Sequence, residues 1–193
     1  MRKQVMNEIS RIFEESIAVK KETLLQNSCE IQQAVDVIVR ALRRNKKLLV
    51  FGNGGSAADS QHIAAEFIGR FQKERASFPA IALTTDTSAL TALGNDYGFE
   101  HVFSRQLEGL GQKGDVALAI STSGMAANVI KAAKQARAMG ITVIALTGRD
   151  GGRLAPLSDI KIVVPSSSTA RIQESHVCIV HCVCECVENI LGS

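Results

Sequence analysis

Five short apolar runs, each followed by a stretch of helical pattern, limit this chain to one class of fold. The runs are Leu48–Phe51, Ala80–Leu83, Val116–Ile120, Thr142–Leu146 and Ile160–Val164. Apart from Thr142 and Lys161 they are apolar, and they are rich in Val, Ile, Leu and Ala, as strands covered on both faces are. Between them the pattern predicts helices at 56–71, 88–110 and 126–139 and a short one at 152–157. Gly140 stops the helix before the fourth strand, Pro165 ends the fifth, and a last helix spans about 169–191. Strand–helix alternation implies parallel pairing, because parallel neighbours need a crossover between them.

Ahead of the first strand, residues 1 to about 26 read as an amphipathic helix with Met6, Ile9, Phe13 and Ile17 on one face. A second helix is expected after Asn27-Ser28, with Ile31, Ala34, Val35, Ile38 and Leu42 as its buried stripe. The expected fold is α/β, a three-layer doubly wound five-stranded parallel sheet with two leading helices. Residues 1–193 form one domain in this reading. The helical pair at 1–46 offers more apolar surface than one small sheet can cover, so the first helix is expected to pack partly on a partner subunit.

The net charge of +3, from 22 basic and 19 acidic residues, is too balanced to argue for nucleic acid or a membrane surface. No apolar run reaches membrane-spanning length, and no secretory pattern opens the chain. Cys178, Cys182, Cys184 and Cys186 crowd one helix, where 182, 184 and 186 cannot converge on one metal; they read as small packing residues. A cytoplasmic protein is expected.

Chemistry concentrates after the first strand. Phe51-Gly52-Asn53-Gly54-Gly55-Ser56 is a glycine turn leading into a helix, and a helix N-terminus with free N–H groups is a natural anion seat. On that helix His62 and Glu66 are four residues apart and share a face. Ser121-Thr122-Ser123-Gly124, after the third strand, adds three hydroxyls where simple capping needs one. The two segments echo each other, Gly-Asn-Gly-Gly-Ser-Ala-Ala-Asp at 52–59 and Ser-Thr-Ser-Gly-Met-Ala-Ala-Asn at 121–128. Both turns should lie at the carboxyl edge of the sheet.

Gly52-x-Gly54-x-x-Ala57 also fits a dinucleotide fingerprint, but that scheme puts a ribose-binding acid at the end of the next strand about 20 residues on. Here the next strand ends near Asp86, more than 30 residues past Gly52, and Glu74 lies in a polar connection. Asn95-Asp96-Tyr97-Gly98 reads as a turn. On the last helix Gln173, His176 and His181 are candidates, and spacing alone does not choose between the two histidines.

Taken together, Gly52–Ser56, His62…Glu66, Gly94-Asn95-Asp96, Ser121–Gly124 and Arg171-Ile172-Gln173-Glu174…His181 resemble the sugar isomerase (SIS) domain superfamily, and within it the phosphoheptose isomerases. The resemblance implies an aldose–ketose isomerase converting sedoheptulose 7-phosphate to D-glycero-D-manno-heptose 7-phosphate through an ene-diol, for lipopolysaccharide core or surface glycans. It further implies substrate contacts from Asn53, Gly54, Gly55, Ser56, His62, Glu66, Asn95, Asp96 and Gln173, and a phosphate loop at Ser121, Thr122 and Ser123. One zinc per subunit would be held by His62, Glu66, Gln173 and His181, with Glu66 and His181 the catalytic pair. A homotetramer with active sites between subunits is implied, without nucleic acid or membrane partners.

Two departures from the family pattern stand out. Ala126 replaces a second loop Ser, which removes one hydroxyl contact to phosphate, and Ser166-Ser167-Ser168-Thr169 stands where many relatives carry an Asp. The rival reading is a non-catalytic phosphosugar-binding regulator of the kind that associates with the replication initiator. In that relative the catalytic Glu and His positions are substituted, whereas here both are present.

Overall fold

The computed structural model describes residues 1–192. Five strands form one parallel sheet: β1 (Leu48–Gly52), β2 (Ala80–Ala82), β3 (Val116–Ser121), β4 (Thr142–Gly148) and β5 (Ile160–Val164), in the order β2-β1-β3-β4-β5. The helices are α1 (Arg2–Leu42), α2 (Gly55–Ile68), α3 (Thr87–Tyr97), α4 (Ser104–Leu110), α5 (Ala127–Ala138) and α6 (Thr169–Leu191). No helix among the described residues is long and apolar enough to cross a membrane.

Alternate strand residues face opposite layers, which explains why the runs are apolar on both faces, except at Lys161, exposed on the edge strand β5. Leu48, Val50, Leu118 and Ile144 meet α1, α2 and α6 in one core. Leu49, Phe51, Ala119 and Val143 meet α4 and α5 in the other. The central strands carry Ala on the α5 side (Ala117, Ala119, Ala145), where Ala132, Ala133 and Ala136 of the helix come close.

The two leading helices are one. α1 runs unbroken for 41 residues through Asn27-Ser28. Asn27 does not break the helix because its amide is spent elsewhere: Nδ2 donates to Val163 O (3.0 Å) and Oδ1 accepts from Val163 N (2.9 Å). β5 is an edge strand, and this side chain covers unpaired backbone groups that would otherwise template another strand. The stripe Ala34, Val35, Ile38 is buried as expected, while Met6, Ile9, Phe13 and Ile17 stay exposed.

The expected helix at 88–110 is split. Gly98 takes φ 89, a short 3-10 turn follows at Phe99–His101, and α4 begins at Ser104. The short helix expected at 152–157 is a single 3-10 turn, Ala155–Leu157.

Candidate active site

The sheet reverses its direction of winding between β1 and β3, which lie side by side with Gly52 opposite Ile120. β1 passes the chain to α2 in one layer, and β3 passes it to α5 in the other. A crevice opens at such a switch point, beyond the carboxyl ends of both strands. Neither α2 nor α5 carries a side-chain hydrogen bond from its N-cap residue. The Ser56 and Ala57 N–H groups go to the Asn53 and Gly54 carbonyls and the Val129 N–H to Asn128 Oδ1. The donors kept for an anion are therefore those of Gly55 at one end and of Ala127 and Asn128 at the other.

The glycines of the first turn have separate reasons. A Cβ on Gly52 would sit 2.7 Å from the Ser56 side chain and 2.8 Å from the Ile120 carbonyl. Gly54 takes φ 55 with open space around it. A Cβ on Gly55 would collide with the Gln173 amide, so α6 reaches the turn only because that side chain is absent. Ser56 is buried beneath the turn.

Asn53 is paired rather than free. Its amide and that of Asn128 exchange two hydrogen bonds, each 2.8 Å, across the crevice from one turn to the other.

His62 and His181 meet head to head, Nε2 to Nε2 at 2.8 Å, with their rings edge to face. One nitrogen carries the proton and the other accepts it. On the far side of the His62 ring, Nδ1 lies 3.7 Å from Glu66 Oε1. Glu66 and His181, from α2 and α6, thus both touch His62. The Phe71 ring rests against His181, with centroids 5.5 Å apart. Cys184 is buried near Glu66; burial first, then the Glu66 carboxylate, pushes its thiol up to about 12, so it stays protonated. Cys178 and Cys182, by contrast, are exposed.

His176 is excluded from this group. It is buried and bonds through Nε2 to the Thr147 carbonyl at 3.0 Å. Burial lowers its pKa to about 4, against the opposing pull of that carbonyl, so the ring is neutral and structural.

At the second turn, Gly124 (φ 64) closes a turn with its N–H donated to Ser121 O at 3.0 Å. The hydroxyl run does not cap α5: the N-cap position is Ala126, and Ser123 Oγ instead accepts from the Met125 N–H at 3.2 Å. The simple capping explanation for these hydroxyls therefore fails. Asn95 and Asp96 lie in the last turn of α3 rather than in a loop; they are exposed and bond to each other at 2.8 Å.

Three site residues escape a reading from sequence. Asp59 is buried beside the Gln173 amide, with Oδ2 lacking a hydrogen-bond partner; burial raises its pKa, partly offset by Gln173 and His62. Asn128 fixes Asn53, and Phe71 backs His181. Asp59 and Asn128 occupy the same column of the internal echo, and that coincidence was the available signal. Phe71 had none.

Two imidazoles and a carboxylate are donor types that suit zinc, and the Gln173 amide oxygen is a weaker, neutral oxygen donor beside them. The facing Nε2 atoms of His62 and His181 are the part of this set already convergent. Glu66 stands against Nδ1 of His62 instead, and no three His, Cys, Asp or Glu side chains among the described residues are grouped as a cage.

Residues 12–148 match the model of the SIS domain. Two relatives named phosphoheptose isomerase are similar over nearly the whole chain. The one from Sulfurimonas denitrificans is 50% identical over 188 residues, 97% of this chain and 95% of the relative. The one from Aquifex aeolicus is 51% identical over 187 residues, 97% and 98%. The solved phosphoheptose isomerase from Neisseria gonorrhoeae superposes with a TM-score of 0.91 at 47% identity, covering 96% of this chain and 99% of that one.

Proposed function

The chain belongs to the SIS domain family and, within it, to the phosphoheptose isomerases, and from that premise we propose how its residues carry out the reaction. The protein is an aldose–ketose isomerase acting on sedoheptulose 7-phosphate. The substrate's phosphate lies against Ser121, Thr122 and Ser123, with Asn53, Gly54 and Gly55 forming the facing wall, Ser56 buried behind it rather than in contact, and Asn95 and Asp96 a further contact. Glu66 removes the proton from the carbon next to the carbonyl and returns it to the neighbouring carbon. His181 moves a proton between the two oxygens, as an imidazole, whose ring nitrogens both give and accept protons, can. The intermediate is an ene-diol. The observation that carries this reading is the meeting of Glu66 and His181 on His62, beside a crevice with two uncapped helix ends.

We further propose that His62, Glu66, Gln173 and His181 hold one zinc per subunit, from the donor types present and the facing imidazoles. Bound zinc would polarise the substrate carbonyl as a Lewis acid. The assembly is a homotetramer with active sites between subunits; the exposed apolar face of α1, including Phe13 and Ile17, supports packing on a partner. We place the protein in the cytoplasm, supplying heptose for lipopolysaccharide core or surface glycans, without nucleic acid or membrane partners.

Glu66→Gln tests the central step. Exchange of the substrate's alpha proton with solvent should collapse by about a thousandfold while binding of the phosphosugar survives. Retained exchange removes Glu66 from its role. Metal analysis of the purified protein should give one zinc per chain, and a metal-free protein that is fully active would refute the zinc assignment.

A further inference from the structure

The reaction leaves one buried ion pair without a role. Glu188, near the end of α6, accepts from the backbone N–H groups of Phe71 (2.9 Å), Gln72 (2.7 Å) and Lys73 (2.8 Å) and from Arg75 Nε (3.0 Å). Burial pushes its carboxyl up, but those N–H groups and the guanidinium outweigh it and hold the pKa at about 2. Arg75 is equally enclosed, its guanidinium 3.9 Å above the Phe78 ring. Two further bonds reach carbonyls at the end of α2, Nη2 to Glu66 O at 2.8 Å and Nη1 to Phe67 O at 2.9 Å, and Nη1 also donates to Ala76 O within the segment itself at 2.9 Å. The Glu66 and Phe67 carbonyls belong to the last turn of the helix, where intrahelical partners run out. The segment between α2 and β2 has no helix or strand of its own, so the pair is what organises it.

Two contacts join this pair to the chemistry. Arg75 grips the backbone carbonyl of Glu66 itself. Glu188 holds the N–H of Phe71, whose ring supports the His181 imidazole. We propose that Arg75 and Glu188 are positioning residues that set the Glu66 carboxylate and the His181 ring relative to each other, one through the last turn of α2 and the other through Phe71. The inference rests on Glu66 and His181 being the catalytic pair.

A second ion pair supplies the comparison that separates positioning from stability. Lys47 Nζ lies 2.7 Å from the buried Asp115 Oδ2, and these residues precede β1 and β3 at the edge of the sheet opposite the crevice. The experiment measures kcat and KM with sedoheptulose 7-phosphate, per folded molecule, for full-length Arg75→Lys, Phe71→Leu and Lys47→Arg, with unfolding midpoints alongside. Arg75→Lys keeps the charge and loses the fork; Phe71→Leu keeps the ion pair and loses the ring. Both should lower kcat by about ten- to a hundredfold, as small misplacements of reacting groups do, with KM changed by less than about threefold. Lys47→Arg should leave kcat unchanged whatever its midpoint. The proposal is overturned if Arg75→Lys and Phe71→Leu keep kcat within about twofold while Glu66→Gln is inactive. Should Arg75→Lys fail to fold, Phe71→Leu decides by itself. An active Glu66→Gln would instead remove the catalytic pair on which the inference stands.

Discussion

The turns after β1 and β3 share a local plan, strand then small-residue turn then helix, and do different work with it. The β1 turn is built from glycines that let other groups in. Gly55 admits the Gln173 amide from α6, and Gly52 lets Ser56 fold back beneath the strand end. The β3 turn is built from hydroxyls on a rigid backbone support: a Cβ on Gly124 would strike the Gly151 carbonyl, and Leu154 N donates to Gly124 O at 3.0 Å. One turn is open so that the Gln173 side chain can approach; the other is closed, which holds its hydroxyls in place. The Asn53–Asn128 amide pair ties them together. A repeated motif therefore does not imply a repeated role, and what distinguishes the two is which neighbour occupies the space a Cβ would fill.

That distinction is broken or upheld by alanine at each glycine. In Gly55→Ala the new methyl meets the far end of a flexible side chain, so Gln173 swings away and the fold survives. Stability should change little, while kcat/KM falls by about a hundredfold as the amide leaves the site. In Gly124→Ala the methyl meets the Gly151 backbone at a positive φ of 64. There the loss should be in stability, about 1–3 kcal/mol, read as a lower urea midpoint. If Gly55→Ala lowers the midpoint and Gly124→Ala does not, the two turns have been assigned the wrong way round.

The sheet was legible because strands buried on both faces leave few polar positions to blur them; four of the five runs fall within their strands, and the second ends one residue beyond β2, at Leu83. In sequence α1 reads as two helices because Asn27-Ser28 is a local stop signal, and the partner that cancels it, the Val163 backbone, lies 136 residues away. The split of the expected 88–110 helix follows from Gly98, whose φ of 89 a helix cannot hold. In the site, His62 and Glu66 were visible from helical spacing on one element. The pairing of His181 with His62 was not, since it depends on how α6 docks, and only family resemblance preferred His181 to His176. The structure supplies the physical ground: His176 points at the Thr147 carbonyl in the core.

The bridge between the turns gives a second, smaller test. Asn128→Ala removes both amide hydrogen bonds and leaves Asn53 free to rotate. The activity loss should be about tenfold, appearing in kcat/KM, with Asn53→Ala in the same protein adding little further because the two side chains act as a unit. Additive losses from the two substitutions would mean that Asn53 and Asn128 work separately and that the turns are not coupled.

The smallest expected effect isolates a single hydroxyl. Thr122→Val keeps the shape of the side chain and the β-branch, and the turn beneath it is held by Gly124 and Leu154 rather than by this oxygen. Nothing in the scaffold should therefore move. A phosphate far from the reacting carbons is gripped equally in substrate and transition state, so losing one contact removes uniform binding. KM should rise by about fivefold, the worth of one hydrogen bond, with kcat unchanged. Competitive inhibition by inorganic phosphate should weaken by the same factor, since the anion uses the same hydroxyl. If kcat falls and phosphate inhibition stays as it was, Thr122 belongs to the chemistry of the sugar rather than to the grip on its phosphate, and the β3 turn is not the passive cradle that sets it apart from the β1 turn.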